Sequence, residues 1–390
     1  MAPISDLAPL ESDMIRWRRD IHRHPETAYE ERRTAEIVGA ELEGAGIEVH
    51  RGIGETGLVG VLRAGSANRA IGLRADLDAL NLSELNDFQH RSVHDGKMHA
   101  CGHDGHTAML LGAARHLAAD PGFDGTVYFI FQPAEEGGHG AKRMIDDGLF
   151  ARFPCESVYG MHNMPGIEAG TFAVRKGPIL ASADAAYATL RGVGGHGAFP
   201  HLARDPVLAG ARLVEAWNTV VSRRVNPLDS AVVSVTQFRA SQAVNVIPDS
   251  VTIGATVRAL SAGTRDLLDA NLRELAQGVA AGHGMEVDYR YERGDVATVN
   301  HPEETDVCAN VAAALVGADR VATGIAPMMG SEDFGWMLEQ VPGCYIFIGN
   351  GLGEAGGCMV HNPHYDFNDE ILKVGAAYWV ALARVLLPLR

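Results

Sequence analysis

The sequence lacks an excess of positive charge and any long run of basic residues. It holds 33 Lys and Arg against 49 Asp and Glu, which gives a formal net charge of −16. A chain of that charge is repelled by phosphate backbones, and no stretch of five or more basic residues offsets the repulsion. The composition therefore argues against nucleic acid as a partner.

Long apolar segments and cysteines are also scarce. Residues 374–389 form the most apolar stretch near the end, but Arg384 and Pro388 interrupt it, so it predicts a C-terminal core helix rather than a membrane span. Acidic residues stand near the start, where a signal peptide needs basic and apolar ones. The five cysteines are sparse and odd in number, which favours reduced thiols. We therefore expect a cytoplasmic protein with no membrane partner.

Helix and strand patterns alternate along roughly the first third of the chain. Short, continuous apolar runs there are typical of strands that are covered on both faces. The alternation predicts an α/β domain with a mixed, mostly parallel sheet and flanking helices. The helical segments are 10–24, 30–45 and 103–119, and the strand segments are 58–63, 70–75, 126–131 and 157–162.

The middle of the chain has a different pattern. Its elements follow the order β-α-β-β-α-β, which is typical of a ferredoxin-like α+β unit. Because α/β patterns lie on both sides, we predict that 184–296 is an inserted domain. Residues 1–183 and 297–390 would then form the other domain. A division into two domains is expected, because chains longer than about 250–300 residues tend to split.

Five short segments are rich in groups that bind metals. In open α/β sheets, sites form beyond the carboxyl ends of the strands, and three of the five segments follow strands. One site can therefore collect all five. They are 74–78 (RADLD), 98–106 (MHACGHDGH), 132–138 (QPAEEGG), 159–163 (YGMHN) and 359–364 (MVHNPH).

The residue types in these segments suit a hydrolytic metal pair, which needs two to three protein ligands per ion and open positions for water. Cys101 and His103 are two residues apart and can face one point. Glu135 and Glu136 are adjacent, and neighbouring side chains diverge in an extended segment. One glutamate could then bind metal while the other faces the attacking water as a general base.

These five segments resemble the signatures of the aminoacylase/carboxypeptidase-type metallopeptidases. The similarity covers nearly the whole chain and is greatest to the amidohydrolase branch, which includes hippurate hydrolases, N-acyl-amino-acid amidohydrolases and plant auxin-conjugate hydrolases. The resemblance implies hydrolysis of the amide bond of N-acylated amino acids, two divalent ions per subunit, and a homodimer formed through the inserted domain, which would also act as a lid.

The resemblance also assigns roles by position. Cys101 would bridge the ions, His103 and His162 would complete one, and Glu136 and His361 the other. Glu135 matches the general base. His196 matches a lid histidine that supports the oxyanion, acting within or across subunits. The remaining matches are to substrate contacts and lie at Asn245, Arg258 and the loop 329–334.

Several alternatives stay open at this level. Asp76 and Asp78 are interpreted as acceptors that orient a metal-bound histidine, but they could be turn carboxylates. Asn245 could satisfy a turn, and Arg258 could form a surface ion pair. The ligand types suit Zn²⁺, Co²⁺ or Ni²⁺ and tolerate Mn²⁺. A dipeptidase or carboxypeptidase could use the same site, and a non-catalytic metabolite-binding protein on this scaffold is a further possibility.

Overall fold

The structure is a computed structural model that describes residues 4–353 and 356–389. It divides the chain into two compact units. The first comprises 1–177, 299–326 and 333–390, and the second comprises 178–298 and 327–332. The sequence predicted 184–296 as the inserted domain and placed all of 1–183 and 297–390 in the other domain. The structure instead groups 178–183, 297–298 and 327–332 with the second unit. No local sequence pattern reveals which unit a loop contacts.

The strands and helices follow in chain order. The strands are β1 (Glu48–Ile53), β2 (Gly57–Ala64), β3 (Ala70–Asp76), β4 (Gly125–Gln132), β5 (Ser157–Pro165), β6 (Phe172–Val174), β7 (Gly177–Leu180), β8 (Asp184–Arg191), β9 (Gly195–His196), β10 (Ala231–Arg239), β11 (Val246–Ile247), β12 (Ser250–Ala259), β13 (Glu286–Arg293), β14 (Thr298–Asn300), β15 (Val321–Thr323) and β16 (Gly343–Gly351). The helices are α1 (Glu11–Arg23), α2 (Arg32–Gly44), α3 (His103–Ala119), α4 (Gly140–Asp146), α5 (Leu149–Arg152), α6 (Pro206–Arg224), α7 (Ala262–Gly282), α8 (Pro302–Val316), α9 (Gly335–Leu338) and α10 (Leu372–Leu386).

The first unit is built on a mixed sheet with the strand order β1-β2-β4-β3-β5-β16-β6-β15. Its central strands β4, β3, β5 and β16 run parallel, which confirms the predicted fold class. These strands are almost fully buried because helices, including α3 and α8, cover them. Their carboxyl ends share one edge of the sheet, and the candidate site lies there.

The C-terminal segment is the predicted core helix. In α10, residues from Gly375 to Ala383 are buried, and the helix packs against α3. Among the described residues, every helix falls short of the length and apolarity that crossing a bilayer requires.

The second unit has an antiparallel sheet with the strand order β10-β12-β8-β13. Side chains of β8 alternate between buried and partly exposed, so one face of the sheet packs on α6 and α7 while the other is more open. The chain order β8-α6-β10-β12-α7-β13 and the strand order together describe a ferredoxin-like arrangement.

Candidate metal centre

The segment that holds Cys101 and His103 is shaped by the glycine between them. Gly102 has φ +95°, a left-handed conformation that favours glycine, and it precedes the first residue of α3. A Cβ atom at this position would collide with the buried side chains of Asn163 and Tyr365. The glycine therefore lets Cys101 and His103 stand on either side of a sharp turn at the start of α3.

A first group of candidate ligands joins Cys101, His103 and His162, and their ligand atoms lie within 4.8 Å of one another. All three side chains are buried. His162 Nε2 lies 3.3 Å from Cys101 Sγ. His162 Nδ1 lies 2.6 Å from the carbonyl oxygen of Asn163, to which it donates, so Nε2 is left with a lone pair that faces the cluster.

A second group joins Cys101, Glu136 and His361 within the same 4.8 Å limit. His361 Nε2 lies 3.1 Å from a Glu136 carboxylate oxygen. The backbone of His361 has φ +63° and donates its N–H to the Ala100 carbonyl at 2.7 Å, which ties it to the Cys101 segment. Cys101 is thus common to both groups, as a bridging ligand would be.

Glu135 lies beside these groups. Its carboxylate, that of Glu136 and a ring nitrogen of His103 lie within 4.8 Å of one another. The expected divergence of the two glutamates in an extended segment is wrong, because the chain turns at Ala134, with φ +54°, and the dipeptide lies in that turn. Both carboxylates therefore point towards the same place.

Asp78 orients this turn and one of the histidines. Its two carboxylate oxygens accept the backbone N–H groups of Glu135 at 3.0 Å and Glu136 at 2.9 Å. The same carboxylate lies 3.3 Å from His103 Nδ1. Such a contact fixes the ring so that Nε2 faces the cluster.

Asp76 lies deeper, at the end of β3. It contacts His106 Nδ1 at 2.6 Å and accepts a hydrogen bond from Arg74 at 2.8 Å, while His103 Nε2 is 3.7 Å away. His106 in turn contacts the side-chain oxygen of Asn163 at 2.7 Å. Asp76 therefore bonds directly to a histidine outside the two groups rather than to His103.

The electrostatics of the site favour a bound cation. Although burial disfavours a charged ring, the carboxylates of Asp76 and Asp78 raise the pKa of His103 to about 10. Burial and the nearby glutamates hold the pKa of the Cys101 thiol well above its ordinary value. Buried carboxylates contribute to both effects, and divalent cations would neutralise their charge.

The donor atoms also fit a metal. His103 Nε2 is buried and, within the described residues, has no hydrogen-bond partner, which is costly unless a cation takes that place. Sulfur, imidazole nitrogen and carboxylate oxygen together suit a first-row divalent ion. The residues present therefore fit divalent ions of this class, and the two ligand groups have Cys101 in common.

Three further predicted residues belong to the second unit. His196 on β9 pairs with Val246 on β11 in a short two-stranded antiparallel sheet, and the carbonyl of Asn245 accepts the N–H of Gly197 at 2.8 Å. The fold therefore brings His196 and Asn245 together, and both are exposed. Arg258 on β12 donates to the hydroxyl of Ser331 at 3.1 Å. Ser331 lies in the loop 329–334, which the sequence also singled out.

Buried partners beneath the site were not predicted. Arg74 donates to Gln132 at 2.8 Å and to Asp333 at 3.2 Å, and Asp333 accepts the N–H of Ala141 at 2.9 Å. Asn163 donates to the Tyr365 hydroxyl at 2.6 Å. One signal was present in the sequence: Arg74 is a charged residue within an otherwise apolar strand, which implies a buried partner.

Comparisons with known proteins show the family of the chain. Residues 72–385 match the profile of the peptidase family M20/M25/M40. The chain is 40% identical over 380 residues to hippurate hydrolase of Campylobacter jejuni, covering 97% of this chain and 98% of that protein. It is 35% identical to thermostable carboxypeptidase 2 of Saccharolobus solfataricus, covering 97% and 96%. A crystal structure from Bacillus subtilis, described as a dinuclear metal binding peptidase of the M20 family, superposes with a TM-score of 0.84 at 30% identity, covering 97% of this chain and 99% of that one.

Proposed function

The chain belongs to the M20/M25/M40 peptidase family and is a hydrolase of carbon–nitrogen bonds, and we propose that it cleaves the amide bond of N-acylated amino acids. Hippurate represents this substrate class. The products are a carboxylic acid and an amino acid. The observation that supports this most is the convergence of two ligand groups on Cys101, with Glu135 beside them.

Two divalent ions would be held by these groups. Cys101 would bridge them as thiolate, His103 and His162 would complete one site, and Glu136 and His361 the other. When bound, such ions polarise a carbonyl and make water a stronger acid. Zn²⁺, Mn²⁺, Co²⁺ and Ni²⁺ are the candidates that the donor set accepts.

The side chains of this protein then perform the proton transfers. Glu135 takes a proton from the water that attacks the amide carbon, and the carbon–nitrogen bond breaks as Glu135 returns that proton to the leaving nitrogen. The side chain of Glu135 is 11% exposed, so it can reach water while its backbone stays fixed by Asp78. General-base work of this kind contributes roughly 10²–10⁴-fold to a rate.

The second unit would supply the remaining contacts. We assign to His196 the stabilisation of the oxyanion, and to Asn245 and Arg258 contacts with the substrate, the guanidinium of Arg258 facing its carboxylate. A homodimer through this unit is also part of the proposal. Its support is that β10 and β13 are the outer strands of the sheet and that several large apolar side chains are exposed nearby. These are Phe199, Leu202, Phe238, Val244 and Val246.

A second candidate function is cleavage of a C-terminal residue or of a dipeptide at the same site. The similarity to a relative named thermostable carboxypeptidase favours it. Both functions need the same ions and the same base, and they differ only in whether the group on nitrogen is a simple acyl group or an aminoacyl group.

A substrate screen after metal exchange separates the two. Metal is removed by a chelator, removal is confirmed by elemental analysis, and the protein is reloaded with each ion separately. Release of glycine and benzoate from hippurate is then measured beside a panel of dipeptides. We expect no turnover without metal and faster turnover of N-acyl amino acids; full activity of the stripped protein, or activity on dipeptides alone, would contradict the proposal.

A further inference from the structure

Three consecutive backbone N–H groups at the catalytic turn each donate to a buried carboxylate. Asp78 accepts those of Glu135 and Glu136. The N–H before them, on Ala134, donates to Glu31 Oε1 at 2.9 Å. Asp78 follows β3 and is part of the site, whereas Glu31 comes from the N-terminal segment, far away along the chain.

The side chain of Glu31 hydrogen-bonds to this turn and not to the helix that follows it. Glu31 stands directly before α2, yet its carboxylate makes no capping bond to that helix. It is fully buried and accepts hydrogen bonds from Tyr29 N at 3.1 Å and from the Thr56 hydroxyl at 2.5 Å, besides that of Ala134. Burial of a carboxyl group is unfavourable unless its bonds are made, so its place depends on these three donors.

The turn at Ala134 needs an external restraint. A left-handed φ is unfavourable for alanine by about 1 kcal/mol or more, since its Cβ crowds the backbone. β4 ends at Gln132, so this residue sets the direction in which the next two side chains leave the sheet. The Tyr29 hydroxyl donates to the Gly138 carbonyl at 2.6 Å, so the segment 29–31 holds both ends of the turn.

We propose that Glu31 is a positioning residue for the hydrolysis: through the Ala134 N–H it fixes the turn that places the base Glu135 and the ligand Glu136. The inference rests on the proposed function for the identity of the base. It requires the Glu31 oxygen as an acceptor and does not require a negative charge. Glutamine keeps that oxygen, so Glu31→Gln should retain the positioning of the turn. Alanine removes the oxygen, so Glu31→Ala should lose it.

The test compares Glu31→Ala and Glu31→Gln with a matched control, Asp124→Ala. Asp124 is also a buried carboxylate in the first unit, and it accepts the N–H groups of Ser66 at 2.6 Å and Ala67 at 2.7 Å in a different loop. Four quantities are measured for each variant: kcat and KM for hippurate, the affinity of the apo-protein for Co²⁺ by chelator competition, and the melting temperature.

For Glu31→Ala we expect kcat to fall by about 10- to 100-fold, the cost of misplacing a catalytic group by about 1 Å. KM should change less than about threefold, and Co²⁺ should bind more weakly because Glu136 is displaced. Glu31→Gln should recover most of both losses. Asp124→Ala should lower the melting temperature and leave kcat and Co²⁺ affinity as in the wild type.

Two results would overturn the assignment. One is a folded Glu31→Ala protein with wild-type kcat and Co²⁺ affinity. The other is an equal loss of both quantities in Asp124→Ala, which would reduce the role of Glu31 to general stability. If the wild type hydrolyses no N-acyl amino acid, the proposed function fails, but the Co²⁺ affinities still decide the role of Glu31.

Discussion

Replacement of Gly102 by alanine perturbs the candidate metal centre without touching any ligand. The residue lies between Cys101 and His103, at φ +95°, and an added Cβ would overlap the side chains of Asn163 and Tyr365. Neither neighbour can move easily, because both are fully buried and Asn163 donates to the Tyr365 hydroxyl at 2.6 Å.

The expected strain is the sum of two contributions. A left-handed backbone is unfavourable for alanine by about 1–2 kcal/mol. Forcing a methyl group into a filled interior adds about 1–3 kcal/mol. If the apo-protein relieves this strain of about 2–5 kcal/mol and the metal-bound protein cannot, metal binding weakens by about 30- to 4,000-fold, since each 1.4 kcal/mol is tenfold.

Gly96→Ala is the matched control. Gly96 has a similar left-handed φ of +76°, but nothing lies within 4 Å of an added Cβ. The Gly96→Ala variant should therefore carry only the backbone strain, without the packing strain, and should bind Zn²⁺ or Co²⁺ as the wild type does. The assay is chelator competition on the apo-proteins, with thermal unfolding of each as a measure of the strain.

Equal metal affinities for the two alanine variants would refute this reasoning. Such a result would mean that the turn at Gly102 does not set the positions of the flanking side chains. A variant that loses stability but not affinity would lead to the same conclusion.

Further substitutions separate the roles within the site. Glu135→Gln should keep both ions and lose most turnover, roughly 10²–10⁴-fold, whereas Glu136→Gln should lose metal; two bound ions and a near-normal rate in both would contradict the assignment. Cys101→Ser should lower metal occupancy and Cys101→Asp should restore part of it, as elemental analysis would show. Oxidants should modify Cys101 faster in the apo-protein, and equal rates with and without metal would count against ligation. His196→Ala should lower kcat by about 10²–10³-fold and retain both ions; full activity would remove His196 from the mechanism. Light scattering should find the protein dimeric.

The fold class followed from patterns that are local in the sequence. Continuous apolar runs marked β4 and β5, and the apolar C-terminal stretch marked α10. In contrast, β1 was not predicted, because all its residues except Ile53 are exposed or only partly buried and they form no apolar run. The membership of 327–332 in the second unit is likewise decided by tertiary contacts.

The sequence predicted the ligand residues of the candidate site but not the turn and the buried contacts that hold them. Metal-binding side chains in five segments suggested a common place, and the structure brings Cys101, His103, His162, Glu136 and His361 into two adjoining groups. The turn at Ala134 was missed because an alanine gives no signal of a left-handed conformation. The role of Glu31 and the identity of the partners of Arg74 were missed, because a polar residue reveals its partner only in the folded chain.

The most direct test of the dinuclear site is a crystal structure of the metal-loaded protein with anomalous data at the absorption edge of the ion. We expect two ions on the first unit, both bonded to Cys101 Sγ at about 2.3 Å if the ion is zinc. His103 and His162 should complete one site, and Glu136 and His361 the other. A single ion, or ions to which Cys101 is not bonded, would contradict the central claim.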